Sequence, residues 1–265
     1  MNRIDQMFTR CREEDRKALI VFVTAGDPSL DFTRQLIPAL AGAGADLIEI
    51  GVPFSDPVAD GPTIQRASQR ALSGGANLPA ILDLMDDLRK SCQETPFVLF
   101  SYYNLILQYG VEKLAAVSAE KGVDGWLAVD LPLEEEEEIL SAMDKYNLYK
   151  IPLLAPNTPR ERLQSILKRA RGFAYYITVA GVTGARKELP PDLAEHLQEL
   201  RSLSPIPVAA GFGVSTPEQA RMVGKHADGV IVGSRLINVI QEAGSEKDAL
   251  AAGTGLVREL SAALK

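Results

Sequence analysis

The sequence predicts an α/β fold, a single closed (β/α)8 barrel over residues 1–265, and three observations predict it. Short β-branched, apolar runs recur eight times, with helical stretches between them. Eight strand–helix units are what a closed barrel of parallel strands requires. The runs are apolar on both faces, as parallel strands covered by helices must be. No linker or second lobe interrupts the rhythm, and about 200–250 residues is an ordinary length for such a barrel as one domain. An open doubly wound sheet is the alternative for the same alternation. The count of eight favours the barrel.

The elements follow in order. Residues 3–15 read as an extra helix ahead of the first strand, placed to plug the barrel's N-terminal face. Strands are expected at 18–24, 46–51, 97–101, 125–129, 149–154, 174–178, 207–210 and 229–232, each rich in Val, Ile, Leu, Phe or Tyr. Amphipathic helical segments are expected at 31–43, 78–91, 111–121, 134–146, 159–170 and 217–225. A short helix is expected after the eighth strand, in Gly233-Ser-Arg-Leu-Ile237. The longest interruptions, 52–75 and 179–192, follow strands two and six. In a TIM barrel those loops lie where the C-terminal ends of the strands converge, the face that holds substrate.

Composition narrows the function. Apolar content of 46% suffices for a large core, and a net charge of −7 with no basic stripe argues against nucleic acid. Cys11 and Cys92 suggest no disulfide framework. No apolar run approaches the roughly 18 residues of a membrane span, and the N-terminus has no signal-type apolar core. A cytoplasmic location is expected, or a plastid one if a transit peptide preceded this chain. No His or Cys pair has metal-ligand spacing, so no metal is expected; no Gly-x-Gly-x-x-Gly follows the first strand. The five glutamates 134–138 read as the solvated opening of the fourth helix, where carboxylates complement the dipole. His196 and His226 read as surface residues of helical segments.

The densest chemistry lies in Asp46-Leu-Ile-Glu-Ile-Gly-Val-Pro-Phe-Ser-Asp-Pro-Val-Ala-Asp-Gly-Pro62. Strand alternation puts Leu47, Glu49 and Gly51 on one side. Burying Glu49 there costs free energy unless it is paired, hydrogen-bonded or neutral. It is either a general acid/base with a desolvation-raised pKa or a buried Glu satisfied by an interior Lys, Arg or Tyr. Asp56 and Asp60, before Pro57 and Gly61, read equally as turn or cap residues.

Three Gly-rich loops follow strands six to eight: Gly181-Val-Thr-Gly184, Gly211-Phe-Gly-Val-Ser215 and Gly233-Ser234. Together they suit a phosphate, which such barrels hold with the last two loops and a short helix's N-terminus. Phe22, Phe100, Leu127, Tyr175 and Ile231 read as interior layers or as the walls of an apolar pocket between carboxylates and phosphate. Residues 180–192, with Gly184 and Pro190-Pro191, have the composition of a hinged lid.

The chain resembles the tryptophan synthase α subunit family over essentially its whole length. The resemblance rests on Pro53-Phe-Ser-Asp-Pro-Val-Ala-Asp-Gly61 and on five further blocks: Phe22-Val-Thr-Ala-Gly-Asp-Pro28, Tyr102-Tyr-Asn104, Asp130-Leu-Pro132, Ala180-Gly-Val-Thr-Gly-Ala185 and Ala210-Gly-Phe-Gly-Val214. It implies retro-aldol cleavage of indole-3-glycerol phosphate to indole and glyceraldehyde 3-phosphate, with Glu49 and Asp60 catalytic. It implies that Phe22, Phe100, Leu127, Tyr175 and Ile231 form an indole slot and that Thr183 bonds Asp60 when the lid closes. Backbone groups at Gly184, Phe212, Gly213, Gly233 and Ser234 would hold the phosphate, and Pro53 and Asp56 would face a β subunit in an α2β2 heterotetramer. No cofactor is implied in this chain; pyridoxal phosphate belongs to the β subunit. Leu105, Asn157 and Thr178-Val179 depart from common family residues and bear on loop rigidity or crosstalk. Another phosphate-binding barrel enzyme of the pathway would need Lys or Cys at these strand ends, and a purely regulatory subunit would not need both carboxylates.

Overall fold

The computed structural model describes residues 1–177, 193–211 and 213–265. Nine parallel strand segments form one sheet: β1 (Ala18–Thr24), β2 (Leu47–Gly51), β3 (Phe97–Ser101), β4 (Gly125–Ala128), β5 (Tyr149–Lys150), β6 (Leu153–Leu154), β7 (Ala174–Ile177), β8 (Val208–Gly211) and β9 (Gly229–Val232). Their order is β5-β4-β3-β2-β1-β9-β8-β7-β6. The two sheet edges, β5 and β6, are halves of the single expected strand 149–154, so the ring closes through that strand. Its interruption has a local cause, because Pro152 has no N–H to donate. Around the break, the Ile151 N–H donates to the Trp126 carbonyl (2.8 Å) on one side. On the other, the Tyr175 N–H donates to the Pro152 carbonyl (2.9 Å). The expected barrel of eight strands is therefore the observed one.

The helices are α1 (Arg3–Glu13), α2 (Leu30–Gly42), α3 (Pro62–Ser73), α4 (Leu78–Ser91), α5 (Tyr103–Tyr109), α6 (Val111–Glu120), α7 (Glu137–Asp144), α8 (Arg160–Arg169), α9 (Leu193–Leu203), α10 (Pro217–Gly224), α11 (Ser234–Gln241) and α12 (Glu246–Ala263). Side chains of Asn2, Ser29, Asn77, Thr216 and Ser245 accept first-turn N–H groups, which fixes where five of them begin. Helices α3, α5 and α12 were not expected, and α9 was expected only as a helical segment around His196. The expected interruption 52–75 in fact contains α3, started by Gly61-Pro62, with Pro at the first helical position. No helix among the described residues is long and apolar enough to cross a membrane.

Alternation along each strand sorts side chains between two cores. Leu19, Val21 and Val23 pack outward against the helix layer, while Ala18 and Ile20 pack inward. Helix α1 closes the N-terminal end of the ring, as expected. Its Ile4, Met7, Phe8 and Cys11 bury against Leu47, Val98, Phe173 and Ile231 inside the barrel. Polar contacts fix it there: Asn2 Nδ2 donates to the Asp124 and Asn147 carbonyls (2.9 Å each), and Tyr149 donates to Asp5 (2.7 Å). With that end sealed, the C-terminal ends of the strands form the open face.

One detail differs from the sequence reading. The five-glutamate run is a 3-10 turn at Leu133–Glu135 followed by α7, and it is not uniformly solvated. Glu136 is buried and paired with Lys150, because its carboxylate turns inward between α7 and β5. His196 lies in α9 and His226 in the turn after α10, both half-buried.

Candidate active site

Glu49 projects from β2 into the barrel between Leu47 below and Gly51 above. It is wholly buried, and neither carboxylate oxygen has a hydrogen-bond partner. A satisfied interior Glu is thereby excluded by the geometry. Loss of hydration penalises the charged form, and burial pushes its pKa up to about 8. At neutral pH Glu49 is mostly a neutral acid.

Asp60 sits in the loop between β2 and α3, one residue before the Gly61 that caps α3. It is 5% exposed. Burial raises its pKa to about 6, while a hydrogen bond from the Tyr102 hydroxyl to Oδ2 (3.1 Å) opposes that rise. The same hydroxyl accepts the Ala59 N–H (3.0 Å), and the Tyr102 ring packs on Phe54 at 4.9 Å between centroids. Gln65, from the first turn of α3, donates to the Asp60 carbonyl (2.9 Å). Tyr102 thus clamps the Asp60 turn from the end of β3. Sequence reasoning quoted this residue without giving it a task. The available signal was its place just past the C-terminal end of a barrel strand, on the functional face.

Tyr175 reaches inward from β7, where burial and the fields of Glu49 and Asp60 hold its hydroxyl well above the usual tyrosine range. All three groups therefore share one space. Phe22 packs edge-on against Phe100 at 5.0 Å, and its ring leans over Gly51. A Cβ on Gly51 would lie 2.4 Å from Phe22 Cζ, and one on Gly233 would lie 3.2 Å from Phe22 Cβ. Gly51 leaves room for the aromatic ring, which fills the space a side chain there would take, and Gly233 gives Phe22 close clearance on its other flank. Leu127 and Ile231 lie deeper, in the inner core shared with α1, and form a floor. Ile64 and Ala67 of α3 and Ile237 of α11 close over Phe22 and Phe100. That roof was missed, although the Ile64, Ala67 and Ala71 spacing carries the helical period.

At the far side of β1, the loops after β8 and β9 lie side by side because those strands pair. Gly213 has φ +67°, a left-handed conformation that glycine adopts without strain. Gly233 leads directly into α11, whose first residue, Ser234, is buried. The free N–H groups and positive dipole end of that helix face the loop. Thr183, Gly184 and Phe212 lie outside the described residues. Of the two interface candidates, Pro53 is buried and Asp56 is exposed, accepting from Ser55 at 2.6 Å. Beside Asp56, Val58 is 80% exposed.

A protein-family model described as the tryptophan synthase alpha chain matches residues 8–265. The tryptophan synthase alpha chain of Caldanaerobacter subterraneus is 48% identical over 240 residues, 91% of each chain. That of Geobacter sulfurreducens is 48% identical over 241 residues, again 91% of each. Among solved structures, tryptophan synthase subunit alpha from Legionella pneumophila superposes with a TM-score of 0.93 at 40% identity, covering 100% of this chain and 98% of that one. A Mycobacterium tuberculosis tryptophan synthase chain gives 0.91 at 35% identity, covering 99% and 98%. Carboxylate pair, glycine-lined loops and barrel all sit in a chain matched nearly end to end, so the protein belongs to the tryptophan synthase alpha chain family.

Proposed function

We propose that this chain cleaves indole-3-glycerol phosphate to indole and glyceraldehyde 3-phosphate, with Glu49 and Asp60 as the catalytic pair. The observation that carries the reading is the unpaired, fully buried Glu49 carboxyl, with a second buried carboxyl, Asp60, acting on the same Tyr175 hydroxyl. The bond between indole C3 and the adjacent glycerol carbon breaks once C3 carries a proton. Neutral Glu49 supplies that proton, and its carboxylate then takes one from the hydroxyl on the same glycerol carbon. The electron pair of the broken bond returns to the ring, and the former alcohol carbon leaves as an aldehyde. Ionised Asp60 accepts the indole N–H and stabilises the positive charge on the ring while C3 is protonated. Tyr102 supports this by favouring the Asp60 carboxylate.

Phe22, Phe100, Leu127, Tyr175 and Ile231 hold the indole. Gly213, Gly233 and Ser234, with Gly184 and Phe212, anchor the phosphate so that binding energy orients the scissile bond. Thr183 reaches Asp60 in the closed site. Pro53 and Asp56 belong to the face that meets a β subunit, giving an α2β2 assembly in the cytoplasm. Exposed Val58 beside Asp56 favours that face. This chain needs no cofactor for its step, and pyridoxal phosphate works in the partner.

Replacement of either carboxylate tests the assignment. Glu49→Gln and Asp60→Asn are expected to fold and to lose about 10²–10⁴-fold in turnover of indole-3-glycerol phosphate. Rates within a few-fold of the parent in either would overturn it.

A further inference from the structure

Among the described residues, the buried side-chain polar atoms left without any partner are the two Glu49 oxygens, Thr24 Oγ1 and Arg89 Nε. Arg89 lies at the plugged end, where its Nη2 donates to the Gly122 carbonyl and the Asp124 carboxylate and its Nη1 to the Cys92 and Thr95 carbonyls. Thr24 lies at the open end. It is the last residue of β1, 4% exposed, and by alternation shares the inward face with Ile20 and Phe22. Its register partner on β2 is Gly51, which presents no side chain. A buried hydroxyl with no partner costs free energy that valine, with the same outline and strand preference, would avoid. The hydroxyl has a use only if a partner arrives.

Strand order says what that partner is. The ring runs β2-β1-β9-β8, so β1 separates the strand bearing Glu49 from the strands whose loops hold Gly213, Gly233 and Ser234. A molecule whose reacting carbon is at Glu49 and whose phosphate is at α11 must pass across the end of β1. We propose that the Thr24 hydroxyl hydrogen-bonds the middle hydroxyl of the substrate's glycerol chain, the one between the reacting carbon and the phosphate-bearing carbon. This rests on the function proposed above. The hydroxyl at the reacting carbon is engaged by Glu49 and the phosphate by the glycine loops. The middle hydroxyl is the remaining polar group of the chain, and Thr24 is the inward polar side chain of β1. Thr24 is thus a specificity residue that distinguishes a glycerol chain from a deoxygenated one.

The test compares two substrates: indole-3-glycerol phosphate and its analogue lacking only the middle hydroxyl, which retains the reacting alcohol and the phosphate. For Thr24→Val the expected result is a loss of about tenfold in kcat/KM on the full substrate and a change under twofold on the analogue, with Thr24→Ser close to the parent on both. A fall on both substrates alike, or on neither, overturns the proposal, since a merely structural role cannot tell the substrates apart. Should Thr24→Val fail to fold, the same ratio read with Thr24→Ala decides. A parent enzyme inactive on the full substrate sinks the functional reading itself. An active parent with an unchanged ratio sinks only the role of Thr24.

Discussion

Two carboxyl groups at one barrel mouth face opposite requirements, and their surroundings separate them. The proposed cleavage needs Glu49 to begin as an acid and Asp60 as an anion. With values of about 8 and about 6, both conditions hold between those pH values. The expected kcat/KM profile is a bell that rises through about pH 6 as Asp60 ionises and falls through about pH 8 as Glu49 does. A flat profile from pH 5 to 9 would contradict it. Tyr102→Phe removes the donor that holds the Asp60 pKa down, so the acid limb should move to higher pH with the alkaline limb unchanged. The same burial leaves a mark on stability. The folded-state pKa of Glu49 lies above its ordinary value of 4.5. The stability tied to its protonation is therefore complete below about pH 4.5 and lost as pH rises through about 8. Glu49→Gln cannot ionise, so its unfolding free energy from urea titration should gain on the parent's between pH 5 and 9 by more than about 1.4 kcal/mol, one pKa unit's worth. Parallel curves would mean that Glu49 is not buried uncharged.

Elements place these residues, and they differ in how far the sequence revealed them. The ring of eight strands was legible because parallel strands buried on both faces cannot be anything but apolar, and because helix α1 precedes them with an apolar stripe. Glu49 was legible for the complementary reason, a carboxyl where only apolar side chains are inexpensive. The helix inside residues 52–75 is hidden because its Pro and Gly residues read as loop signals, and the fifth strand's division is hidden because Pro152 lies in an otherwise strand-like run, 149–154. Tyr102 escaped because its partner Asp60 is distant in sequence, and pairing across a barrel mouth leaves no local pattern. The buried Glu136–Lys150 pair escaped likewise, hidden in a run that reads as solvent-exposed. At this scale the glycines on either side of Phe22 give a prediction. Gly51→Ala sets a methyl against the Phe22 ring and the Val23 carbonyl. It should cost about 1–3 kcal/mol in urea denaturation and lower turnover, because the ring it displaces walls the pocket. Wild-type stability would show that Phe22 yields freely.

The whole molecule divides its labour between two ends. One is sealed by α1 and its contacts to Asp124, Asn147 and Tyr149; the other is open, with α3 and α11 leaning over it. Substitutions at the sealed end should therefore separate stability from chemistry. Phe8→Ala removes a ring packed 5.6 Å from Phe173 and should cost about 3–5 kcal/mol with kcat within twofold of the parent. A large loss of kcat at full folding would mean that the plug communicates with the mouth. The open end carries the exposed Asp56 and Val58, the face proposed for a β subunit. The most direct measurement is indole release from indole-3-glycerol phosphate by the purified chain, alone and with a β subunit of the family added. Release by the chain alone, rising at least tenfold with the partner, is the predicted result. A folded chain that releases no indole in either condition would contradict the account.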